Sequence, residues 1–221
     1  MTAAELAEWY GVEPPADHAP RYNAAPSQLV PVVGRKAGSA RRGLVRMRWG
    51  FVPWWAADPA AGPKPINARA ETAFASPAFH RSMRDRRCLL PADGFYEWAA
   101  GGGAKRPVHF RPAAGPVALA GIWDVWAPPA GGGRLYTCAI LTVPANDAVR
   151  PTHARMPALL TADQFDRWLD PAATPAALAP LLRPYPHPLA AVAVGPAVNA
   201  AWADGPDCLA PAAGVGHPPR A

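Results

Sequence analysis

What most constrains the fold of this chain is a succession of short extended runs with little helical period between them. Apolar stretches of strand length fall at 29–33, 44–49, 87–90, 94–98, 107–111, 117–123, 135–143, 157–160 and 189–194, bounded by turn-forming residues. Helical spacing is confined to three regions, near 3–10, 162–169 and 175–182. Strands and helices do not alternate, which argues against a doubly wound parallel sheet. The order predicts an α+β fold: a mostly antiparallel sheet, folded as a partly closed barrel, with short flanking helices.

The 30 prolines are spread among well-patterned apolar segments, so they read as compositional bias rather than disorder. Glycine runs at 101–103 and 131–133 mark hairpin loops. A chain of 221 residues with 50% hydrophobic content can bury one full core. The expectation is a single domain over 1–208, followed by a flexible tail over 209–221. No apolar stretch reaches membrane-spanning length, and MTAAELAEWYGV begins an amphipathic helix rather than a secretion signal. A cytoplasmic monomer without a membrane partner is therefore expected. Cys88, Cys138 and Cys208 lack paired spacing, and the histidines lack metal-ligand spacing. Cys88 and Cys138 sit in strand-like runs and read as small buried hydrophobes. With no phosphate-cradling glycine loop either, no metal and no cofactor is expected.

Charge is more informative by position than in total. Residues 35–87 hold twelve Lys or Arg against three acids, in a chain whose formal net charge is +6. Arg48 lies next to Trp49, and Trp54 and Trp55 follow. Arginines neutralise phosphates and exposed indoles stack on unpaired bases, a combination suited to single-stranded nucleic acid. The competing reading is a solvated basic loop over core tryptophans.

Three further stretches carry polar groups among apolar ones. In PINARAETAF, Asn67, Arg69 and Glu71 recur at alternate positions and line one face of an extended segment. They read either as a ligand-gripping face or as a structural polar network. In NDAVRPTHARMPALL, His153 precedes Arg155 and an apolar strand. In CLLPADGFYEW, Glu97 shares a strand face with Phe95, while Tyr96 and Trp98 point the other way. A carboxylate beside aromatic rings has its pKa raised, as a proton-transfer group requires. The alternative is an edge-strand charge.

Taken together, RYNAAPSQ (21–28), RWGFVPWWA (48–56), INARAET (66–72), RRCLLPADGFYEW (86–98), LAGIWDVW (119–126), ILTVPAN (140–146) and HARMPALL (153–160) resemble, in order and spacing, the SRAP family of SOS response-associated peptidases. The resemblance runs from residue 5 to about 202. It implies a single α+β domain on a pseudo-barrel sheet, with a basic cleft for single-stranded DNA containing abasic sites. It also implies a covalent, protective link to those sites, made in the DNA damage response and associated with the nucleoid when DNA is bound.

In that family the nucleophile is a cysteine exposed at the mature N-terminus, whose amine and thiol close a thiazolidine on the aldehyde of the opened sugar. By resemblance, Glu97 assists proton transfer at that amine, Asn67 positions the sugar or the N-terminus, and His153 serves ring opening and Schiff-base steps. Arg69 and Arg155 are expected to grip flanking phosphates with Arg48 nearby, and Trp54 and Trp55 to wedge or stack at the lesion. Two departures stand out. The family's Met-Cys-Gly-Arg opening has no counterpart in MTAAELAEWYGV, so the expected place for it is upstream of Met1. Ala154 also replaces an acid common between the histidine and Arg-Met-Pro. The readings in play are an abasic-site-processing enzyme, a non-catalytic DNA-binding relative, and a cysteine protease using Cys88 or Cys138 with His153.

Overall fold

The computed structural model describes residues 1–35, 39, 41–100, 106–113, 115–129 and 131–212. The first helix, α1 (Ala3–Tyr10), is specified locally at both ends. Thr2 and Glu5 form a capping box, and Gly11 at φ +63° ends the helix in the left-handed region. Its inner face buries Leu6 and Tyr10, and the Tyr10 hydroxyl donates to Val117 O at 2.8 Å.

The larger sheet is built on strands β1 (Leu29–Arg35), β2 (Arg42–Trp49), β4 (Arg87–Ala92), β7 (Val117–Trp126) and β8 (Leu135–Pro144). β1 pairs antiparallel with β2 and β4, β4 with β7, and β7 with β8, while β8 runs parallel to β2. These pairings return to their start and close a ring, in line with the partly closed sheet expected from the sequence. Close approach inside the ring needs Gly121, where a Cβ would lie 2.3 Å from Leu90 Cδ1. The strands β3 (Asn67–Arg69) and β9 (Arg155–Pro157) extend the sheet on opposite flanks of β8, and β10 (Leu159–Leu160) pairs with β7. A second sheet holds β5 (Phe95–Ala99), β6 (Arg106–Pro112) and β11 (Leu189–Ala193), all antiparallel. The short helices are α2 (Ala70–Ala73), α3 (His80–Asp85), α4 (Phe165–Leu169) and α5 (Pro175–Leu178).

The core joins α1, the ring and α4, whose Trp168 is fully buried and donates from Nε1 to Cys88 O at 2.8 Å. A buried arginine, Arg87, ties α3 to α4 by donating to the carbonyls of Met83, Arg84, Trp168 and Asp170. A smaller cluster of Val194, Val198 and Cys208 lies under Tyr96.

Several expectations need correction. The run 157–160 is two strands, because the Ala158 N–H donates to Leu141 O while Ala158 O accepts from Ala120 N–H, so the chain changes partner there. The helices at 162–169 and 175–182 are each part 3₁₀, the second where Pro180 interrupts α-helical bonding. Residues 209–212 are not a loose tail: Ala210 O accepts from Gly195 N–H, and Ala212 N–H donates to Ala193 O. The rest of the expected tail, 213–221, and the glycine run 101–103 lie outside the described residues. The run 131–133 connects the antiparallel pair β7 and β8, as a hairpin loop does. Among the described residues, no helix is long and apolar enough to cross a membrane.

Candidate active site

Strand alternation decides where Glu97 points. Phe95 enters the main core and stacks on Phe110 at 5.4 Å between centroids. On the opposite face of β5, the Tyr96 hydroxyl donates to Tyr22 O at 2.8 Å and Trp98 Nε1 to Asn199 Oδ1 at 2.7 Å. Glu97 therefore shares the face of Phe95 and looks from the small sheet toward the large one.

There it meets His153. The histidine follows a turn between β8 and β9 in which Thr152 and His153 donate their N–H groups to Val149 O. Asn146 sets that turn: its Oδ1 accepts from Val149 N–H at 3.2 Å, and its Nδ2 donates to Tyr185 O at 2.9 Å. Glu97 Oε2 lies 3.6 Å from His153 Nδ1, within ion-pair range but longer than a hydrogen bond. The carboxylate side chain is 22% exposed and the imidazole 50%. Burial raises the Glu97 carboxyl above the ordinary glutamate value, and the charge of His153 offsets part of that rise. His153 Nδ1 is also 3.0 Å from Arg155 O and 3.3 Å from Arg155 N. When Nδ1 accepts the Arg155 N–H, Nε2 carries the ring proton. A carboxyl whose pKa is raised by burial thus faces a half-exposed imidazole at the junction of the sheets, an arrangement able to pass a proton.

Arg155 does something different from what its sequence position suggests. Its guanidinium spans β8, donating to Thr142 O at 2.6 Å and Thr142 Oγ1 at 3.1 Å before reaching Glu71 at 2.8 Å. Glu71 is not the third residue of an extended face but belongs to the single turn of α2, so the alternation begun by Asn67 and Arg69 stops at Arg69. The expected phosphate grip of Arg155 is thus taken up by a carboxylate of the same chain. Hydrogen bonding from Arg155 holds the Glu71 carboxyl below its ordinary value.

Asn67 and Arg69 lie on β3, across β8 from β9, in register with Ile140 and Thr142. Both are exposed, and neither side chain has a hydrogen-bond or ion-pair partner among the described residues. Asn67 makes no hydrogen bond to Glu97 or His153, so the structure brings together two of the three expected catalytic groups.

The tryptophans divide. Trp49 is half-buried and donates from Nε1 to Ile66 O at 2.8 Å, whereas Trp54 is 51% and Trp55 56% exposed. The loop carrying the exposed pair is pinned by Asp124, which is 1% exposed and accepts the Trp54 N–H at 2.9 Å and the Arg86 guanidinium. The Arg81 guanidinium lies 4.9 Å from the Trp54 ring centroid. The basic window is partly neutralised: Arg42, Arg46, Arg84 and Arg86 pair with Asp166, Asp17, Asp85 and Asp124. Arg48, Lys64, Arg69 and Arg81 have no carboxylate partner among the described residues.

All three cysteines are buried; burial pushes the Cys138 thiol up to about 12 and Cys88 well above the ordinary value. A protonated thiol enclosed in a strand is no nucleophile, which removes the cysteine-protease reading.

Asn146 and Asp124 were not singled out from the sequence as site residues. Asn146 carried a signal, an asparagine just past a strand, whereas Asp124 sits within an apolar strand with no local clue.

Comparison with known families gives a match to the family SOS response associated peptidase (SRAP) over residues 1–201. The chain belongs to the SRAP family. Among its SRAP relatives, the abasic site processing protein YoqW of Bacillus subtilis (strain 168) is 39% identical over 175 residues, 78% of this chain and 77% of YoqW. The abasic site processing protein HMCES of Gallus gallus is 37% identical over 223 residues, 87% of this chain and 66% of HMCES. A crystal structure of a protein from Bacteroides thetaiotaomicron is similar with a TM-score of 0.76 at 26% identity, covering 84% of this chain and 82% of that one. Another, from Bordetella bronchiseptica, has a TM-score of 0.74 at 26% identity, covering 88% and 96%.

Proposed function

We propose that this SRAP protein processes abasic sites in DNA, binding the lesion in single strands and forming a covalent, protective link to it, with Glu97 and His153 as its acid–base pair. The observation that carries this reading is the approach of the partly buried Glu97 carboxylate to the half-exposed His153 imidazole, 3.6 Å apart at the junction of the two sheets. The names of YoqW and HMCES support the substrate.

In the opened abasic sugar the reacting group is an aldehyde. An N-terminal cysteine amine adds to it, water leaves to give an imine, and the thiol sulfur adds to the imine carbon to close a thiazolidine. Loss of water requires a proton for the departing hydroxyl, and a carboxyl whose pKa burial raises is better suited to supply it than an ordinary glutamate. His153 takes and returns protons during sugar ring opening and amine addition. Arg48, Arg69 and Arg81 meet the phosphates, and Trp54 and Trp55 stack where the lesion interrupts the bases. Cys88, Cys138 and Cys208 are buried and their amines lie in peptide bonds, so they do not replace the terminal cysteine.

Incubation with abasic single-stranded DNA tests this directly. Protein carrying a Met-Cys-Gly-Arg opening ahead of α1 is expected to give a heat-stable, slower-migrating adduct, and protein starting at Met1 to bind without one. Binding with no adduct in either form favours a non-catalytic DNA-binding role.

A further inference from the structure

Two tight turns stand side by side at one edge of the ring. In the first, Gln28 N–H donates to Ala25 O at 3.3 Å, and Ser27 at φ +71° occupies the left-handed region that non-glycine residues rarely adopt. In the second, Ala203 N–H donates to Ala200 O at 2.9 Å, which puts Trp202 at the tip.

The turns are cross-braced. Buried Asn23 donates from Nδ2 toward the carbonyls of Val198, Ala200 and Ala203 at 3.0–3.2 Å, and Gln28 Nε2 donates to Ala201 O at 2.8 Å. Asp204 accepts the N–H groups of Tyr22 and Asn23 at 2.6 and 2.8 Å and pairs with Arg21. Unfavourable backbone at Ser27 persists because its surroundings over-determine it. All these bonds to the second turn fall on backbone or on Asp204, and none uses the Trp202 side chain. Trp202 is 87% exposed, the most exposed large apolar side chain among the described residues. A rigid mount for an indole held in water does nothing for the core.

The surroundings indicate what the indole meets. Gln28 leads into Leu29, which is 58% exposed and stands in register opposite Arg48. Arg48 is exposed and lacks a carboxylate partner among the described residues, and its strand runs on toward the loop of Trp54 and Trp55. An aromatic tip, an aliphatic step and a free guanidinium in sequence match a chain of flat bases on a polyanionic backbone.

We infer that Trp202 is a base-stacking anchor for single-stranded DNA, separate from the Glu97–His153 site and linked to the Trp54–Trp55 loop by Arg48. This rests on the DNA-binding reading above. It implies that a nucleotide some distance along the strand from the lesion is held by the 200–203 turn.

The test is the affinity of the full chain for an undamaged oligothymidylate about 20 nucleotides long, measured by fluorescence anisotropy. Trp202→Ala is expected to weaken binding roughly 5- to 100-fold, and Trp202→Phe to retain most of the affinity. The salt dependence stays the same, because no phosphate contact is removed, and so does the melting temperature, because the turn is held by its backbone. Equal affinity of Trp202→Ala and wild type overturns the inference while leaving the DNA reading intact. A wild-type chain that does not bind the oligonucleotide overturns both. Loss of self-association in Trp202→Ala at unchanged DNA affinity makes the tip a contact for a second copy and likewise overturns it.

Discussion

His153 and Arg155 stand two residues apart, and each faces a glutamate from elsewhere in the chain. Arg155 and Glu71 form a bidentate pair, further tied to Thr142, in which the carboxyl is held ionised. His153 and Glu97 approach only to 3.6 Å, and burial drives the carboxyl toward keeping its proton. The partner decides the outcome. A guanidinium is always charged and presents a fork that fits a carboxylate, so it locks the pair into one state. An imidazole has no such fork and no permanent charge, so it does not lock a carboxylate in the same way. One pair clasps β9 to α2 over β8; the other is the pair proposed above for acid–base chemistry.

The largest effect that separates the pairs is on rate. In protein carrying the N-terminal cysteine, Glu97→Gln and His153→Ala are each expected to slow adduct formation about 10²- to 10⁴-fold, with single-strand affinity within about twofold of wild type. Single-turnover crosslinking and anisotropy read the two quantities. A parallel loss of affinity and rate would make the pair a binding element.

Stability comes next, and here the clasp dominates. Arg155→Ala removes the bonds to Thr142 and Glu71 and is expected to cost about 1–2 kcal/mol, a melting-temperature fall of roughly 2–8 °C. Glu71→Gln costs less, because Glu71 is 46% exposed and water screens the lost charge.

Glu97→Gln acts in the opposite direction. The folded state holds the Glu97 proton more tightly than the unfolded chain does. Stability is therefore lost as pH rises from the ordinary value of 4.5 through the raised pKa. The variant is expected to melt higher than wild type by roughly 1–4 °C at pH 7. That advantage disappears below about pH 4, where both states are protonated. Thermal melts at the two pH values read the difference.

The smallest effect is in the salt dependence of single-strand binding. Arg69→Ala is expected to reduce the slope of log K against log salt by about 0.7, the loss of one phosphate contact. Arg155→Ala changes the slope less, since its charge is already met by Glu71. Equal changes would return Arg155 to the phosphate-binding set.

Much of the site was legible in the sequence where it depended on one strand. The opposed faces of FYEW follow from period-two alternation alone, and the structure keeps them apart as Phe95 with Glu97 against Tyr96 with Trp98. The reading failed where a local pattern crossed an element boundary: Asn67, Arg69 and Glu71 share a spacing, but a single helical turn intervenes before Glu71. It failed again for long-range pairing. Arg42 meets Asp166 from 124 residues away and Arg86 meets Asp124 from 38. A charge window of fifty residues contains Arg42, Arg46 and Arg86 but not the acids that neutralise them. The Trp202 turn escaped because its specification is a set of backbone carbonyls captured by Asn23 and Gln28, contacts that leave no periodic trace.

The carboxyl titrations of Glu97 and Glu71, followed together by NMR of ¹³C-labelled protein, test most directly whether the two pairs have different chemistry. Glu97 is expected to titrate above the ordinary glutamate value of 4.5 and Glu71 below it. His153→Ala should move Glu97 higher still, because the charge that favours its ionised form is gone, and leave Glu71 in place. A Glu97 that titrates at or below the ordinary value, or that does not respond to His153→Ala, would contradict the assignment of this pair as the acid–base centre.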